Sequence, residues 1–315
     1  MARIKVGVIM GGPSSEREVS LGTGENVFTN LDRQLFEPAK IKILRDGRTW
    51  MAGRYAKLEK AVKSVDVCFL ATHGEFGEDG RLQAILESYN VLYTGSGVLA
   101  SALAMNKAKS RQLFSINGLK TPKTLIVKEG EYFQSQLKFF INKLVKMPVV
   151  VKPCSRGSSV GVSVVKNKRF LKKAIQNAFK YDPEVLIEEY IEGKELTCGV
   201  IEKKANGATE IMSLPVTEII PNSEKMTPAR ISEALASEIQ EIAVKAHQVL
   251  GCKDYSRSDF LVKNGKIYIL ELNTLPKLTE NSLIPEALKA AGWSMRRFLS
   301  NLCFRNIGQG VIQKA

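Results

Sequence analysis

Short apolar runs alternate with amphipathic stretches over the first hundred residues of the chain. The runs at Ile4–Met10, Ala39–Ile43 and Val65–Ala71 are rich in β-branched residues, which predicts buried strands. Strands that alternate with helices are typical of βαβ units and a parallel sheet, where ligands lie beyond the carboxyl ends of the strands. Gly11-Gly12 and His73-Gly74 follow two of these runs. We therefore expect a ligand site beside them.

A helix-start pattern follows the first predicted strand. Ser15 and Glu18 match the Ser-x-x-Glu capping box, in which both side chains satisfy backbone N–H groups of the first helical turn. The pattern predicts that a helix starts at Ser15.

The remaining apolar pattern divides the α/β chain into three predicted domains, at 1–104, 105–187 and 188–315. Further helices are expected at Leu82–Ser88, Met105–Asn117, Gln134–Leu144, Lys168–Phe179, Ile231–Leu250 and Pro285–Cys303. Further strands are expected at Val91–Tyr93, Pro148–Lys152, Val160–Val165, Leu186–Tyr190, Leu196–Ile201, Glu210–Thr217, Asp259–Val262 and Lys266–Glu271.

Composition narrows the class of protein. The chain has 315 residues, of which 44% are hydrophobic and 25% are charged, as is typical of a globular protein and not of a disordered one. No uninterrupted apolar run reaches the roughly 18 residues that cross a bilayer, so no membrane partner is expected. The five cysteines are far apart and odd in number, which favours a reducing cytoplasm over a disulfide framework or a zinc site. Two histidines exclude a multi-histidine metal site.

The net charge of +14 is partly local, because residues 138–180 contain eleven Lys or Arg and no Asp or Glu. A lysine-rich surface in water is the simpler interpretation. Attraction to nucleic acid or to the phosphates of a nucleotide is the alternative. Nucleic-acid modules usually add interleaved aromatic residues or a recognition helix, and the sequence has neither pattern, so no nucleic-acid partner is expected.

A glycine-serine loop at 155–161 lies between two apolar runs. Successive backbone N–H groups in such a loop can bind phosphate, and glycine lets the backbone approach closely. Lys152 places a cation beside it. The loop is not a Walker A motif, because it lacks Gly-Lys-Ser/Thr and a strand follows it. A flexible hairpin turn is the alternative interpretation.

A second candidate site lies on a hairpin that Asn264-Gly265 predicts. A two-residue loop would place Asp259 and Glu271 on opposite faces, whereas a three-residue loop at Lys263–Gly265 would place them on one face. The second register gathers two carboxylates with Asn273 and Arg257, and such oxygen ligands suit Mg²⁺. The alternative is a surface hairpin whose polar side faces water.

Together these segments resemble the ATP-grasp superfamily, and specifically the D-alanine–D-alanine ligases. The matching stretches are GGPSSEREVSL at 11–21, HGEFGEDGRLQAILE at 73–87, YTGSGVLASALAMNKAKSRQLF at 93–114, VVKPCSRGSSVGV at 150–162, EEYIEGKELT at 188–197, RSDFLVKNGKIYILELNTLP at 257–276 and NSLIP at 281–285. The resemblance implies an ATP-grasp fold with an N-terminal doubly wound parallel-sheet domain and ATP held between the two following domains. It also implies a cytoplasmic ligase, typically a homodimer, that joins two D-alanines through an acylphosphate for peptidoglycan synthesis.

The resemblance also implies roles for individual residues. The nucleotide contacts would be Lys107 and Lys152 at the phosphates, Gly157, Ser158 and Ser159 in the loop above them, Glu188 and Ile191 at the adenine, and Glu195 at the ribose. The ligands of Mg²⁺, or of Mn²⁺ in its place, would be Asp259, Glu271 and Asn273. The substrate contacts would be Glu16 at the first ammonium, His73 near it, Ser158 bonded to Glu16, Arg257 at the transferred phosphoryl group, and Ser282 and Leu283 at the second carboxylate.

Two departures from the family pattern concern the acceptor side. Lys277 replaces a glycine whose backbone N–H belongs to the oxyanion hole; lysine keeps that N–H but adds a cation near the acceptor. The lid at 216–232 is short and has no tyrosine, and Lys225 is the candidate for its lysine. A ligase with a different acceptor, and a catalytically silent ATP-binding relative, are therefore the alternative functions.

Overall fold

The computed structural model describes residues 2–131, 134–157, 160–205, 208–220 and 224–313. Its strands are β1 Ile4–Gly11, β2 Phe36–Ile43, β3 Thr49–Met51, β4 Arg54–Ala56, β5 Val67–Leu70, β6 Thr124–Lys128, β7 Val149–Pro153, β8 Ser163–Val165, β9 Glu184–Glu189, β10 Lys194–Ala205, β11 Ala208–Ser213, β12 Thr217–Ile220, β13 Glu224–Met226, β14 Tyr255–Lys263 and β15 Lys266–Asn273. Its α-helices are α1 Arg17–Asn30, α2 Leu58–Val62, α3 Arg81–Ser88, α4 Val98–Met105, α5 Lys107–Ile116, α6 Gln134–Phe139, α7 Leu171–Phe179, α8 Glu233–Val249, α9 Leu283–Ala290 and α10 Met295–Gln313.

The N-terminal sheet has the strand order β4-β3-β2-β1-β5. Strand β1 pairs in parallel with both β2 and β5, which confirms the parallel sheet that the apolar runs predict. Strands β3 and β4 extend one edge in the antiparallel direction. Because β1 and β5 are adjacent and parallel, Gly11-Gly12 and His73-Gly74 follow neighbouring strand ends.

The prediction of a capping box and a helix start at Ser15 is wrong. Helix α1 starts at Arg17, and its N-cap is Glu16, with no side-chain cap. The Ser14 hydroxyl, two residues earlier, accepts a hydrogen bond from the backbone N–H of Glu16 at 3.0 Å. A serine that bonds to the backbone two residues on forms a local turn, which delays the helix and places Glu16 at its mouth.

Two antiparallel sheets form the rest of the fold. One has the order β6-β9-β7-β8, and the other has the order β13-β12-β10-β14-β15, with β11 on β10. The helix expected at Met105–Asn117 is α5, which begins at Lys107 because the Asn106 side chain caps it by accepting a hydrogen bond from the N–H of Lys109. Helix α4, which ends at Met105, was not predicted. The helix expected at Pro285–Cys303 is divided into α9 and α10, and Gly292 adopts a φ of +74° between them.

Helix α10 contributes to the core beneath the N-terminal sheet. Phe298, Leu299, Leu302 and Cys303 share one buried apolar cluster with the residues of β1 and β5. Arg305 of α10 is also buried and forms ion pairs with Glu202 and with Asp254. The ends of the described chain are therefore packed together. In the part of the chain that the structure describes, no helix combines the length and the apolar character that crossing a membrane requires.

Candidate active site

A cavity of about 340 Å³ lies where the N-terminal segment, helix α5 and strand β15 meet. Its lining includes eight of the residues to which the sequence assigns a role: Glu16, Lys107, Gly157, Arg257, Glu271, Asn273, Lys277 and Leu283. A larger groove of about 810 Å³ lies against α7 and is mostly apolar, and it contains none of the predicted site residues. The smaller cavity is therefore the candidate active site.

The hairpin of β14 and β15 places its two acids on one face by a route that the sequence did not predict. The loop is the two-residue turn Asn264-Gly265, since Lys263 pairs with Lys266, so the three-residue loop is wrong. The register then shifts: Phe260 pairs with Ile269, whereas Asp259 pairs with Glu271. Leu270 is the extra residue of a β-bulge, and this single residue returns Glu271 to the face of Asp259.

Asp259 is held by its neighbours on the same sheet. Arg257 donates two hydrogen bonds to its carboxylate, at 2.8 and 2.7 Å, and Thr197 donates a third at 2.7 Å. The amide nitrogen of Asn273 lies 3.4 Å from the same carboxylate. Burial opposes the charge of Arg257, but Asp259 raises the pKa of the guanidinium further above its usual range.

Glu271 lies between cations. The Nζ atom of Lys107 is 3.1 Å from its carboxylate and also donates a hydrogen bond of 2.8 Å to the backbone oxygen of Arg156. Burial alone would raise the pKa of Glu271, but Lys107 and Lys152 lower that pKa to about 2. Glu271 is therefore a carboxylate at neutral pH.

Two carboxylates and one amide oxygen on one sheet face are a donor set that fits Mg²⁺, which takes few protein ligands beside substrate phosphates. No group of three or more His, Cys, Asp or Glu side chains suited to a metal ion occurs among the described residues. Asp259, Glu271 and Asn273 do not amount to such a group, because the third donor is an amide.

Glu188 is a buried acid on β9 with two cationic partners. Lys152 lies 3.1 Å from one of its oxygens, and Arg111 donates a hydrogen bond to the other. Burial lowers the pKa of Lys152, and Glu188 opposes that effect. The structure thus joins Lys152 and Glu188, two of the predicted nucleotide contacts, in one ion pair.

Two further predicted nucleotide residues lie beside this network. Ile191 is buried shortly after β9, and Glu195 lies on β10, opposite Leu261 of β14. Burial raises the pKa of Glu195, and the nearby Asp259 carboxylate raises it further. Their contacts with the adenine and the ribose stay predictions. Ser158 and Ser159 lie outside the described residues.

Glu16 projects into the cavity from the start of α1. A Cβ at Gly74 would lie 2.4 Å from the Ser14 hydroxyl and 2.9 Å from Glu16 Oε2, so a glycine is required for the close approach of these two loops. A Cβ at Gly157 would lie 3.3 Å from the same oxygen. The Nζ atom of Lys277 is 3.5 Å from the other oxygen of Glu16. The departure at Lys277 therefore places a cation at the residue predicted to bind an ammonium.

His73 is buried beside the cavity, and both of its ring nitrogens have partners. Nε2 lies 2.7 Å from the Thr23 hydroxyl, and Nδ1 lies 3.2 Å from the carboxylate of Glu78. Glu78 lines the cavity and has no role in the sequence prediction. Its signal in the sequence is its position five residues after His73, at the far end of the same glycine-containing turn.

The predicted acceptor contacts lie at the start of α9. Ser282 is the N-cap, its hydroxyl lies 2.5 Å from that of Thr279, and Leu283 lines the cavity. Strands β12 and β13 pair within the segment that is predicted to be the lid. Lys225 of β13 lies 2.7 Å from Glu286 of α9 and donates a hydrogen bond to the carbonyl oxygen of Asn281. The predicted lid lysine thus contacts the helix that carries the predicted acceptor residues.

Comparisons with known proteins show the family of the chain. The family model described as D-ala D-ala ligase C-terminus matches residues 113–303, and the model described as D-ala D-ala ligase N-terminus matches residues 5–63 and 54–96. The chain is 43% identical to the D-alanine–D-alanine ligase of Citrifermentans bemidjiense, over 91% of each chain. It is 39% identical to the ligase of the same name from Syntrophobacter fumaroxidans, over 95% of this chain and 96% of the relative.

Solved structures are similar over almost the whole chain. The D-alanine–D-alanine ligase from Coxiella burnetii has a TM-score of 0.89 at 26% identity, covering 100% of this chain and 97% of its own. The D-alanine–D-alanine ligase from Bacillus anthracis, solved in complex with ATP, has a TM-score of 0.82 at 30% identity and covers 99% and 100%. The VanG D-Ala:D-Ser ligase from Enterococcus faecalis has a TM-score of 0.83 at 30% identity and covers 96% and 99%.

Proposed function

Because the chain belongs to the D-alanine–D-alanine ligase family and has its ATP-grasp fold, we propose that it is an ATP-dependent ligase that joins two D-alanines in peptidoglycan precursor synthesis. One observation carries the proposal: a single cavity gathers Glu271 and Asn273 of β15, the cation Lys107 and the acid Glu16. A cytoplasmic location and a homodimeric state, which the family resemblance implies, are parts of the same proposal.

Each charged group of the cavity has a place in the reaction. The γ-phosphoryl group of ATP passes to a carboxylate oxygen of the first D-alanine, and ADP leaves. The amine of the second D-alanine then attacks the acyl carbon, phosphate leaves, and the amine loses a proton. Glu16 holds the ammonium of the first substrate, while Lys107, Lys152 and Arg257 offset the negative charge of the transferred group.

The metal would be held by Asp259, Glu271 and Asn273. When bound, Mg²⁺ neutralises charge on the phosphate oxygens and orients them. Without it, Lys107 pairs with Glu271 and Arg257 pairs with Asp259, so each of the two half-buried carboxylates has a cationic partner. The donor residues are therefore preorganised for the metal by the same cations that contact the phosphates.

The test is to incubate the protein with ATP and Mg²⁺ and to offer D-alanine, then to measure ADP release and product mass. ADP together with D-alanyl-D-alanine is the expected result. L-alanine is the matched control, because it has the same groups in the opposite configuration. No turnover with any amino acid would contradict the proposal and favour a catalytically silent ATP-binding relative.

A different acceptor is the second candidate function, and the presence of Lys277 in the cavity lining favours it. Lys277 adds a cation where the family pattern has glycine, and the acceptor side of the cavity is thereby changed. One structural neighbour is named as a D-Ala:D-Ser ligase. The assay distinguishes the two functions when D-alanine is offered together with D-serine or with another D-amino acid. A mixed dipeptide formed in preference to D-alanyl-D-alanine selects this alternative.

A further inference from the structure

Arg111 connects the sheet that carries Glu271 to the sheet that carries Glu188, although the sequence assigns it no role. We propose that Arg111 is a positioning residue: it fixes the β-bulge at Leu270 that turns Glu271 toward the metal, and it couples that bulge to the nucleotide contact Glu188. The inference rests on the proposed function only for the roles of Glu271 and Glu188.

The contacts of Arg111 use three of its nitrogens. Nε and Nη2 each donate a hydrogen bond of 3.0 Å to the backbone oxygen of Leu270 on β15. Nη1 donates to the carboxylate of Glu188 on β9 and, at 3.2 Å, to the hydroxyl of Thr124 on β6. The Arg111 side chain is 4% exposed. A buried, planar fork that is bonded at both ends holds its partners in a fixed geometry.

The carbonyl oxygen that Arg111 binds belongs to Leu270, the residue at which the pairing register of β14 and β15 shifts. Leu270 is the extra residue between the pairs Phe260–Ile269 and Asp259–Glu271. An extra residue in a bulge leaves backbone groups outside the regular ladder, and a buried carbonyl without a partner is costly. Arg111 supplies that partner. Without the bulge the side-chain period of two would turn Glu271 to the opposite face from Asp259.

The other end of the guanidinium fixes the nucleotide side. Glu188 is 4% exposed and accepts from Arg111 on one oxygen while Lys152 lies 3.1 Å from the other. Lys107 lies one turn before Arg111 on α5 and pairs with Glu271. Two residues four positions apart on α5 thus contact the acid and the bulge: Lys107 pairs with Glu271, and Arg111 binds the backbone of Leu270. A lysine at 111 would keep the charge, but its single ammonium is a point donor and lacks the planar fork that spans both partners.

The test compares Arg111→Met and Arg111→Lys with the wild-type chain. Two binding measurements are made without turnover. The first is the affinity for a non-hydrolysable ATP analogue with Mg²⁺. The second is the affinity for Mn²⁺ in the presence of the analogue, measured from the electron paramagnetic resonance signal of free Mn²⁺. We expect Arg111→Met to weaken both affinities by about tenfold to a hundredfold, because two charge-assisted contacts are lost. We expect Arg111→Lys to recover part of the analogue affinity but little of the Mn²⁺ affinity.

Lys109→Met is the matched control, because Lys109 is an exposed cation on the same helix and should leave both affinities unchanged. The KM for D-alanine should stay within about twofold of wild type in Arg111→Lys, whereas the KM for ATP should rise. A lower melting temperature with wild-type affinities for analogue and Mn²⁺ would overturn the proposal, as would full recovery of Mn²⁺ affinity by Arg111→Lys. If Arg111→Met does not fold, Arg111→Lys decides by itself.

The outcomes also separate this inference from the proposed function. A wild-type chain that binds the analogue and Mn²⁺ but makes no dipeptide contradicts the ligase activity and leaves the role of Arg111 to be decided by its variants. A wild-type chain that binds neither overturns both.

Discussion

The predicted nucleotide side and the predicted acceptor side of the cavity differ in how their charges are paired. On the nucleotide side, the Glu188, Lys107 and Lys152 side chains are 4%, 11% and 13% exposed, and each carboxylate there meets cations at close range. On the acceptor side, Lys277 is 42% exposed and lies 3.5 Å from Glu16. Removing one partner of a buried ion pair typically lowers the free energy of unfolding by about 3–5 kcal/mol. An exposed ion pair contributes only about 1 kcal/mol or less. Replacing one partner of an ion pair should therefore cost more on the predicted nucleotide side than at Lys277.

The largest expected effect comes from the two acids of the hairpin. Glu271→Gln or Asp259→Asn should reduce turnover by about a thousandfold or more, since each removes a charged oxygen ligand from the proposed metal site. The measurement is ADP release at saturating ATP, with circular dichroism to verify the fold. Asp46→Asn is the control, because Asp46 is exposed and pairs only with Arg48 among the described residues. Near-normal activity in either variant would refute the metal assignment.

The second largest effect that we expect is the loss of folding stability at low pH through protonation of Glu271. The folded-state pKa of Glu271 is about 2, below its ordinary value of 4.5, so its charge stabilises the fold above pH 4.5 and that stability is lost as the pH falls toward 2. The contribution is at most about 3 kcal/mol. Urea unfolding of wild type and Glu271→Gln from pH 6 to pH 2 should show the difference in unfolding free energy shrinking over that window. A difference independent of pH would contradict the ion pairing.

On the acceptor side we expect a smaller change. Lys277→Gly and Lys277→Met should lower the KM for the first D-alanine by up to about fivefold, because the substrate ammonium no longer competes with the lysine for Glu16. The KM for ATP should not change. The control is Lys289→Met on α9, an exposed lysine outside the cavity lining. An unchanged KM for D-alanine would contradict the competition for Glu16, and a higher KM would show that Lys277 assists the substrate.

The smallest effects concern the two helix starts that flank the cavity. Asn106→Ala should destabilise the fold by about 1 kcal/mol, because the Asn106 side chain caps the helix that carries Lys107. Ser15→Ala should cost no more than about 0.5 kcal/mol, because Ser15 is not the cap of α1. Both values follow from urea unfolding at neutral pH. A larger cost at Ser15 than at Asn106 would reverse the assignment of the caps.

The sequence predicted those parts of the fold in which a local pattern agrees with the packing. The apolar runs of β1, β2 and β5 are buried strands because they are continuous and β-branched. The helix start failed at Ser15 because two serines compete for the same turn, and only the hydrogen bond from the N–H of Glu16 selects Ser14. Helix α4 was missed because its sequence, VLASALAM, is almost uniformly apolar and shows no amphipathic period.

The candidate site was predicted residue by residue from the family resemblance, but its geometry was not. The alternation of side chains along the hairpin could not decide whether Asp259 and Glu271 share a face, because a β-bulge has no local sequence pattern. Here the bulge depends on Arg111, which is far away in the sequence. Glu78 and Arg111 were missed for the same reason. Their importance comes from long-range contacts with His73, Glu188 and Leu270.

The position of α10 has a consequence for how the molecule folds. Its apolar residues Phe298 and Leu302 lie in the same buried cluster as Val6 and Val8, almost 300 positions earlier. Contacts of such sequence separation close a very long loop and form late. Strand β1 is synthesised well before α10 and therefore keeps part of its apolar surface uncovered until that helix is made. During that interval the uncovered surface makes the nascent chain prone to aggregation.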